Sequence, residues 1–319
     1  MTRLPVTMRD VLETGAFCHV AARTARGPHL TPLVFVWSDD RVWVTTSRGS
    51  VKARAWRADP RVAGLVRHGE RAVAFAGTVA AYDVFEPGTW QRALARSPAV
   101  ARATVRFTQR NARFFAGYAI DARRVPLSWT PPGRIFVEIE IERAVALGGD
   151  RVRASFGAGV GGEVASKRSF RRARPRPDAL SMLPEDLSVD LRHERDGVLA
   201  IDADAAIAVV PARWTDEDGT LSAAVPREVL GAMGLSSATG RAALVVERPS
   251  WWRATRMTGA MLQGDADVYD PAQLGSGSRS VRDRIERVGR DRDAFALIRM
   301  RPDRVVWWRG WQSGSRVVA

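Results

Sequence analysis

The feature that most constrains this chain is an ordered series of short β-type segments that occurs twice. Residues 16–37 are rich in β-branched and aromatic residues and are broken once, at Arg26-Gly27-Pro28, which predicts two strands joined by a tight turn. Continued along the first half, the pattern predicts the order β-β-β-α-β-β-α-β and ends in a strand over Ile135–Leu147. This order is typical of a mainly β fold, an antiparallel β-barrel with attached helices.

The second half repeats this order. Three positions of the first half fall on similar residues 179 positions later: Pro32 on Pro211, Val42 on Leu221 and Arg48 on Arg227. Identities are few, so the shared order and spacing of the elements carry the interpretation. We therefore predict two tandem barrels, a first domain over 1–150 and a second over 183–319, joined by a Gly/Arg/Pro-rich linker over 151–182.

The charge of the chain does not by itself indicate a nucleic-acid partner. The 319 residues carry a formal net charge of +14, but the cations are almost all arginine, with lysine only at Lys52 and Lys167. Because the arginines are spread through every segment, a solvated basic surface is favoured over a nucleic-acid stripe.

Membrane, disulfide and metal classes are disfavoured as well. No apolar run reaches the roughly 20 residues that a membrane-spanning helix needs, and the first residues lack the apolar region of a signal peptide. Cys18 is the one cysteine, and the four histidines are scattered, which argues against disulfides and a zinc site. We expect a soluble cytoplasmic protein without a metal centre.

The stretch from Thr45 to Arg54 is the best candidate for a binding site. It lies where a strand is predicted to end and a helix over Ser50–Ala58 to begin, so free backbone N–H groups and the helix dipole favour an anion. Its hydroxyls and cations suit a phosphate: Thr46, Ser47 and Ser50 as donors, with Arg48, Lys52 and Arg54 as charges. Ordinary helix capping by Ser47 or Ser50 is the alternative interpretation.

The run from Gly27 to Trp37, the run from Arg41 to Lys52 and the segment Ala58-Asp59-Pro60-Arg61-Val62 together resemble the pyridoxamine 5′-phosphate oxidase-like split-barrel flavoproteins. The resemblance implies an FMN-binding type of split barrel that holds FMN or the deazaflavin coenzyme of the F-420 type at a subunit interface. It also implies cofactor-binding residues on two strands and the following helix: Pro32 and Val34 beside the ring system, Thr45, Thr46 and Ser47 along the cofactor, and Arg48, Ser50 and Lys52 at its phosphate.

The same resemblance implies a flavin- or deazaflavin-dependent oxidoreductase that transfers hydride to or from a small organic substrate. A non-catalytic flavin- or haem-binding protein is the alternative, and a nucleic-acid-associated protein is a more distant one. The residues do not identify a catalytic side chain, and the Asn that commonly follows the lysine is absent, with Ala55 and Trp56 in that region.

The second half lacks the hydroxyls and the lysine of the candidate site, because Ala224-Val225-Pro226-Arg227-Glu228 stands in their place. We interpret it as a built-in partner, so that the chain is an intrachain pseudo-dimer with one cofactor between its barrels; a further homodimer stays open.

Four other patterns give structural expectations. The segment Thr89–Tyr118 predicts one long helix with Leu94, Val100, Val105, Phe107, Phe114 and Phe115 on its apolar face. Alternating Glu138, Glu140 and Glu142 predict a solvated strand face, and Cys18 a small core residue. The aromatic runs Trp251-Trp252 and Trp307-Trp308 suit either core packing or the wall of a planar ligand.

Overall fold

A computed structural model describes residues 3–120, 133–157, 166–167, 177–203, 206–217, 219–235, 238–250, 254–274 and 278–318. Most of the segment predicted as a linker, together with Trp251 and Trp252, lies outside these ranges. Among the described residues, no helix combines the length and the apolar character needed to cross a membrane.

The chain forms a mainly β fold with eight α-helices among the described residues. The strands are β1 Phe17–Thr24, β2 Gly27–Ser38, β3 Arg41–Ser47, β4 Arg61–His68, β5 Arg71–Tyr82, β6 Arg134–Gly148, β7 Arg151–Phe156, β8 Asp196–Ala203, β9 Ala206–Glu217, β10 Thr220–Pro226, β11 Thr239–Arg248, β12 Thr258–Tyr269, β13 Phe295–Arg309 and β14 Gln312–Val317. The helices are α1 Val6–Thr14, α2 Val51–Ala58, α3 Trp90–Ala95, α4 Ser97–Arg110, α5 Ala112–Ile120, α6 Glu185–Arg192, α7 Arg227–Ala232 and α8 Ser278–Arg287.

The first half closes into an antiparallel barrel. Its strands follow the order β3-β2-β1-β4-β5-β6-β7, and an additional β3–β6 pairing joins the ends of the first six. Asp39 and Asp40 both have positive φ, which gives the β2–β3 hairpin the backbone twist that two-residue turns require. The barrel interior is apolar and is filled by residues such as Phe35, Phe75 and Ile139. Strand β7 pairs with β6, so the first sheet runs to Phe156, beyond the predicted boundary at residue 150.

The second half builds the same barrel, which confirms the predicted fold and duplication. Its strand order, β10-β9-β8-β11-β12-β13-β14 with a β10–β13 closure, is the first order repeated. Strands β8, β9 and β10 begin and end 179 positions after β1, β2 and β3, as the sequence spacing predicts. The last two strands of each half are also equal in length, and β13 begins 161 positions after β6.

The repeat extends to an irregularity in the sheets. A β-bulge interrupts the β5–β6 pairing at Ala76/Gly77, and a second interrupts the β12–β13 pairing at Gln263/Gly264. A Cβ atom on Gly77 would lie 1.8 Å from the Glu140 carbonyl oxygen, and one on Gly264 2.0 Å from the Arg301 carbonyl oxygen. Glycine is required at both bulges because the opposing backbone occupies the space of a side chain.

The barrels pack through a pseudo-twofold interface. Strand β2 of the first barrel contacts β8, β11 and β12, and its counterpart β9 contacts β1, β4 and β5. One apolar cluster runs through both, combining Leu30 and Leu65 of the first barrel with Leu199 and Leu244 of the second. A reciprocal arrangement of equivalent surfaces is the geometry of a symmetric dimer, here within one chain.

The helical segment differs from its prediction. Residues 89–118 form a 3₁₀ turn and three helices rather than one, because the backbone breaks at Arg96 before Pro98 and again at Asn111. Phe107 and Phe114 are buried as expected, whereas Leu94 and Val105 are 74% and 55% exposed. A single helical period through both breaks placed these two residues on the wrong face.

Glu138 also departs from its prediction as a solvated strand residue. It is buried and hydrogen-bonded to the Tyr82 hydroxyl and to Arg96, and Arg41 lies 3.5 Å away. Glu140 and Glu142 on the same strand are exposed. Alternation along β6 does not show which carboxylate will face Arg41 of β3 and Arg96, which lies between α3 and α4.

The bulge glycines give a stability test. Gly77→Ala and Gly264→Ala should each destabilise the chain by at least about 2 kcal/mol, since the new Cβ must displace backbone of the neighbouring strand. Gly88→Ala, where a Cβ meets nothing within 4 Å, is the matched control. Denaturant unfolding measures all three, and a Gly77→Ala chain as stable as the control would show that the bulge is misplaced.

Candidate functional site

The first barrel is split between β2 and β3. These strands pair only from Phe35 with Val44 to Ser38 with Arg41. Beyond Val44, the residues Thr45, Thr46 and Ser47 pair with β6 instead, opposite Phe136, Ile135 and Arg134. The two strands therefore diverge beyond this point, with Pro32 and Val34 on one side and the end of β3 on the other, and we call this split the cleft.

The junction between β3 and α2 forms as the sequence predicts. Ser50 is the N-cap of α2, where its Oγ accepts a hydrogen bond from the Ala53 backbone N–H at 3.1 Å. The same oxygen lies 3.0 Å from the Thr46 hydroxyl. Capping is thus realised at Ser50, and it brings the hydroxyl of Thr46 to the N-terminus of the helix.

Lys52 is the unusual residue of this junction. Its side chain is 6% exposed, and its Nζ donates to the Thr31 hydroxyl of β2 at 2.5 Å. No carboxylate among the described residues lies within ion-pair distance of it. Burial, with the neighbouring positive charge of Arg134, lowers the pKa of Lys52 to about 8. A buried cation without a counter-ion costs stability, so it marks a candidate functional site.

Further basic groups surround Lys52. The Arg134 guanidinium donates to the Thr45 hydroxyl, at 2.6 Å from Nη2. Burial, together with the charges of Lys52 and Arg304, lowers the pKa of His29 to about 3, so its imidazole is neutral at physiological pH. Arg304 belongs to β13 of the second barrel, so positive potential reaches this cleft from both barrels.

Arg48 is held by a carboxylate. Its Nε lies 2.6 Å from Oδ2 of the buried Asp83, and its guanidinium lies over the Phe85 ring. The second barrel repeats the contact, with Arg227 at 3.2 Å from the buried Asp270. The ion pair also occurs in the second barrel, which lacks the hydroxyls and the lysine. We therefore assign it a structural role, that of holding the strand-to-helix junction in both barrels.

The predicted residues lie on two faces of the barrel wall. Pro32, Val34, Thr45 and Ser47 are half-buried; Val34 packs with the outer cluster that includes Trp43 and Phe107. Thr46 and Lys52 are buried on the inner side, toward Thr31. The eight predicted residues therefore lie along the divergence of β2 and β3 or at the start of α2, with the buried Thr46 and Lys52 on the inner side.

The equivalent region of the second barrel is closed. Ala224, Val225 and Pro226 are all buried, and the β9–β10 pairing runs one pair further, to Ala224 with Arg213. Helix α7 packs on β7 of the first barrel, and the Arg143 guanidinium donates to the Met233 carbonyl at 3.3 Å. Backbone and side chains therefore cover this region of the second barrel.

Other features lie apart from this cleft. A cavity of about 240 Å³ on the outer face of the first barrel contains none of the predicted residues; it is lined by Arg41, Thr78, Val79, Ala80, Tyr82, Arg92, Arg96, Glu138 and Glu140. Trp307 and Trp308 are partly buried against the apolar cluster shared by the barrels. The described residues hold no cluster of three metal-ligating side chains, and Cys18 is buried in the core, where burial raises the pKa of its thiol.

Sequence reasoning missed four residues around Lys52. His29 and Thr31 both belong to β2. Their spacing of two residues is the only signal in the sequence that they lie on one face of the strand, opposite to Pro32. Arg134 opens β6, and Arg304 opposes Gln263 in the second barrel. No local spacing connects these last two with Lys52, because closure of the barrel and packing of the two halves bring them near.

Residues 6–120 match the family model described as pyridoxamine 5′-phosphate oxidase. No curated protein sequence matches the chain. Similar solved structures include an F420 reductase, with 17% identity over 44% of this chain and 98% of that one at a TM-score of 0.30. A second is an FMN-binding protein of Nostoc punctiforme, with 16% identity over 44% of this chain and 78% of that one at a TM-score of 0.32. A third is a conserved hypothetical protein of Mycobacterium tuberculosis, with 23% identity over 46% of this chain and 86% of that one at a TM-score of 0.33.

The buried lysine predicts a pH-dependent stability cost. The folded-state pKa of Lys52, about 8, lies below the 10.5 of an unperturbed lysine. Between these pH values the unfolded chain binds more protons, so stability rises with pH; below pH 8 the cost is fully present. Without ligand, Lys52→Met should therefore be more stable than the parent by on the order of 2 kcal/mol at pH 7, and the gain should shrink toward pH 10.

Denaturant unfolding at several pH values measures this difference. Lys167→Met is the control, since Lys167 has a half-exposed side chain 3.7 Å from Asp267. A Lys52→Met chain that is less stable at pH 7, or a difference that does not vary with pH, would contradict the burial of an uncompensated charge.

Proposed function

Since residues 6–120 belong to the pyridoxamine 5′-phosphate oxidase-like split-barrel family, we propose that the chain is a flavin- or deazaflavin-dependent oxidoreductase whose cofactor lies in the cleft of the first barrel. The small organic substrate would be reduced or oxidised against that cofactor. The second barrel would take the position that a partner subunit holds in a dimer.

The observation that carries the proposal is the burial of Lys52 without a carboxylate partner among the described residues. Since the described part of the chain supplies no counter-ion to this ammonium, a phosphate would provide one together with several hydrogen-bond acceptors. The hydroxyl of Thr31 accepts from this ammonium, the charge of Arg134 acts on it, and the hydroxyl of Thr46 lies at the N-terminus of the helix that carries it. The residues present therefore fit the phosphate of a flavin-type cofactor.

Each of the other predicted residues has a place in this proposal. Thr45 and Ser47 line the diverging end of β3, and Pro32 and Val34 line the facing edge of β2. Along this split β2 and β3 do not pair with each other, and the planar part of the ligand would lie between them. Ser50 caps α2, whereas Arg48 contributes through its fixed position beside Asp83.

Bound in this cleft, the cofactor would supply the redox chemistry as a carrier of hydride. The chain would bind it, exclude water with the second barrel and raise its affinity through positive charge. One site per chain is expected, because the equivalent region of the second barrel is closed by α7 and Arg143.

The binding role of Lys52 can be tested by titration. Lys52→Met should bind FMN or the deazaflavin coenzyme at least tenfold more weakly, the loss of about 1.4 kcal/mol expected when one charge-assisted phosphate contact is removed. Lys167→Met is the control for loss of a lysine. Calorimetric or fluorescence titration should give one equivalent per parent chain.

Three results would count against the proposal. Unchanged affinity in Lys52→Met would place the phosphate elsewhere, and two equivalent sites per chain would contradict the closed second barrel. Binding without any turnover of a reduced nicotinamide and an electron acceptor would leave a cofactor-binding protein that is not an oxidoreductase.

A further inference from the structure

A histidine and a glutamate form a hydrogen bond across the interface between the barrels. Nε2 of His19, on β1, lies 2.7 Å from Oε1 of Glu247, on β11 of the second barrel. Each side chain is 10% exposed. The second nitrogen of the ring, Nδ1, is buried and has no hydrogen-bond partner among the described residues; the same is true of Oε2 of Glu247.

The pair lies at the edge of the cleft. His19 is directly opposite Pro32 in the β1–β2 ladder, and Phe17 is opposite Val34. Opposed residues of an antiparallel pair project to the same face of the sheet, so the imidazole of His19 lies on the same face as Pro32. The other neighbour of His19 across the sheet, Leu65, belongs to the apolar cluster between the barrels.

The pseudo-twofold axis that relates the two barrels does not repeat the pair of His19 and Glu247. The position equivalent to His19 is Val198, which opposes Pro211 as His19 opposes Pro32. Val198 pairs with Val245 where His19 pairs with Leu65, so Glu247 corresponds to Arg67, which is exposed. The buried pair therefore accompanies the cleft that contains Lys52 and is absent from the closed region of the second barrel.

The hydrogen bond determines which nitrogen of His19 can react. A carboxylate accepts a hydrogen bond from Nε2–H, so the neutral ring carries its proton there and presents a lone pair at Nδ1. A protonated ring carries a second proton at Nδ1, and Glu247 stabilises the resulting positive charge. A carboxylate that orients a histidine in this way is a recurring arrangement for proton transfer.

We propose that Nδ1 of His19 is the proton donor and acceptor for the substrate reduced or oxidised in this cleft, with Glu247 as its positioning residue; this rests on the proposed function. In the reducing direction, a hydride from the reduced flavin-type cofactor forms a C–H bond, and the π electrons of a C=O or C=C bond move to its other atom. That atom takes the proton from Nδ1 of the imidazolium. The ring is left neutral and regains a proton from water.

The first test does not depend on turnover. Chains carrying ¹⁵N-histidine should show His19 as the Nε2-protonated tautomer, assigned by its loss in His19→Gln. Addition of oxidised FMN, or of the oxidised deazaflavin coenzyme, should shift the Nδ1 resonance. Glu247→Gln should change the tautomer ratio of His19, an effect that loss of packing alone does not produce.

The second test uses turnover with a simple acceptor. With reduced FMN or reduced deazaflavin as donor and an α,β-unsaturated ketone as acceptor, His19→Gln should lower kcat at least tenfold and leave the cofactor Kd within twofold. Glu247→Gln should lower kcat less, and Glu247→Asp should restore part of it. His68→Gln, which alters an exposed histidine at the end of β4, is the control.

The outcomes separate this proposal from the one it rests on. Two results would overturn the role of His19 alone. One is normal cofactor binding with an unchanged kcat in His19→Gln, and the other is an Nδ1 chemical shift that does not change when the cofactor is added. A parent chain that binds neither cofactor would overturn both. If His19→Gln fails to fold, the tautomer ratio and kcat of Glu247→Gln decide the question.

Discussion

The apolar faces that the two barrels turn toward each other are the constraint on which the rest of the structure depends. An antiparallel barrel can present a polar outer surface, but here Leu30 and Leu65 of the first barrel and Leu199 and Leu244 of the second lie in one buried cluster. Exposing such a surface would be unfavourable for either barrel alone. The pairing therefore holds β2, with its free edge, against the second barrel and places residues of both barrels beside the cleft.

Duplication in one chain lets two equivalent regions differ. Both barrels keep the junction pair of arginine and buried aspartate, at Arg48 with Asp83 and at Arg227 with Asp270. Only the first has the hydroxyls and the buried lysine, and only its side of the interface has the His19–Glu247 contact. Among the described residues, a buried cation without a carboxylate partner is thus found at only one of the two equivalent junctions, as expected when structure is shared and function is not.

The sequence predicted the elements whose signals are local. The fixed offset of 179 residues predicted that β8, β9 and β10 repeat β1, β2 and β3, and the hydroxyl-rich junction gave Ser50 as one of two candidate caps. Contacts that barrel closure creates had no such signal. Glu138 was assigned to solvent because alternation cannot show that Tyr82 and Arg96 will meet it. His19 was one of four scattered histidines until the interface placed Glu247 beside it.

A crystal structure of the chain grown with FMN or the deazaflavin coenzyme would show whether the cofactor lies in the first barrel. One cofactor per chain is expected, with its phosphate in hydrogen-bond contact with Nζ of Lys52 and the hydroxyl of Thr46, and its ring system beside Pro32 and His19. A cofactor bound at the second barrel near α7, or a phosphate held by exposed arginines with Lys52 still bonded only to Thr31, would contradict this expectation.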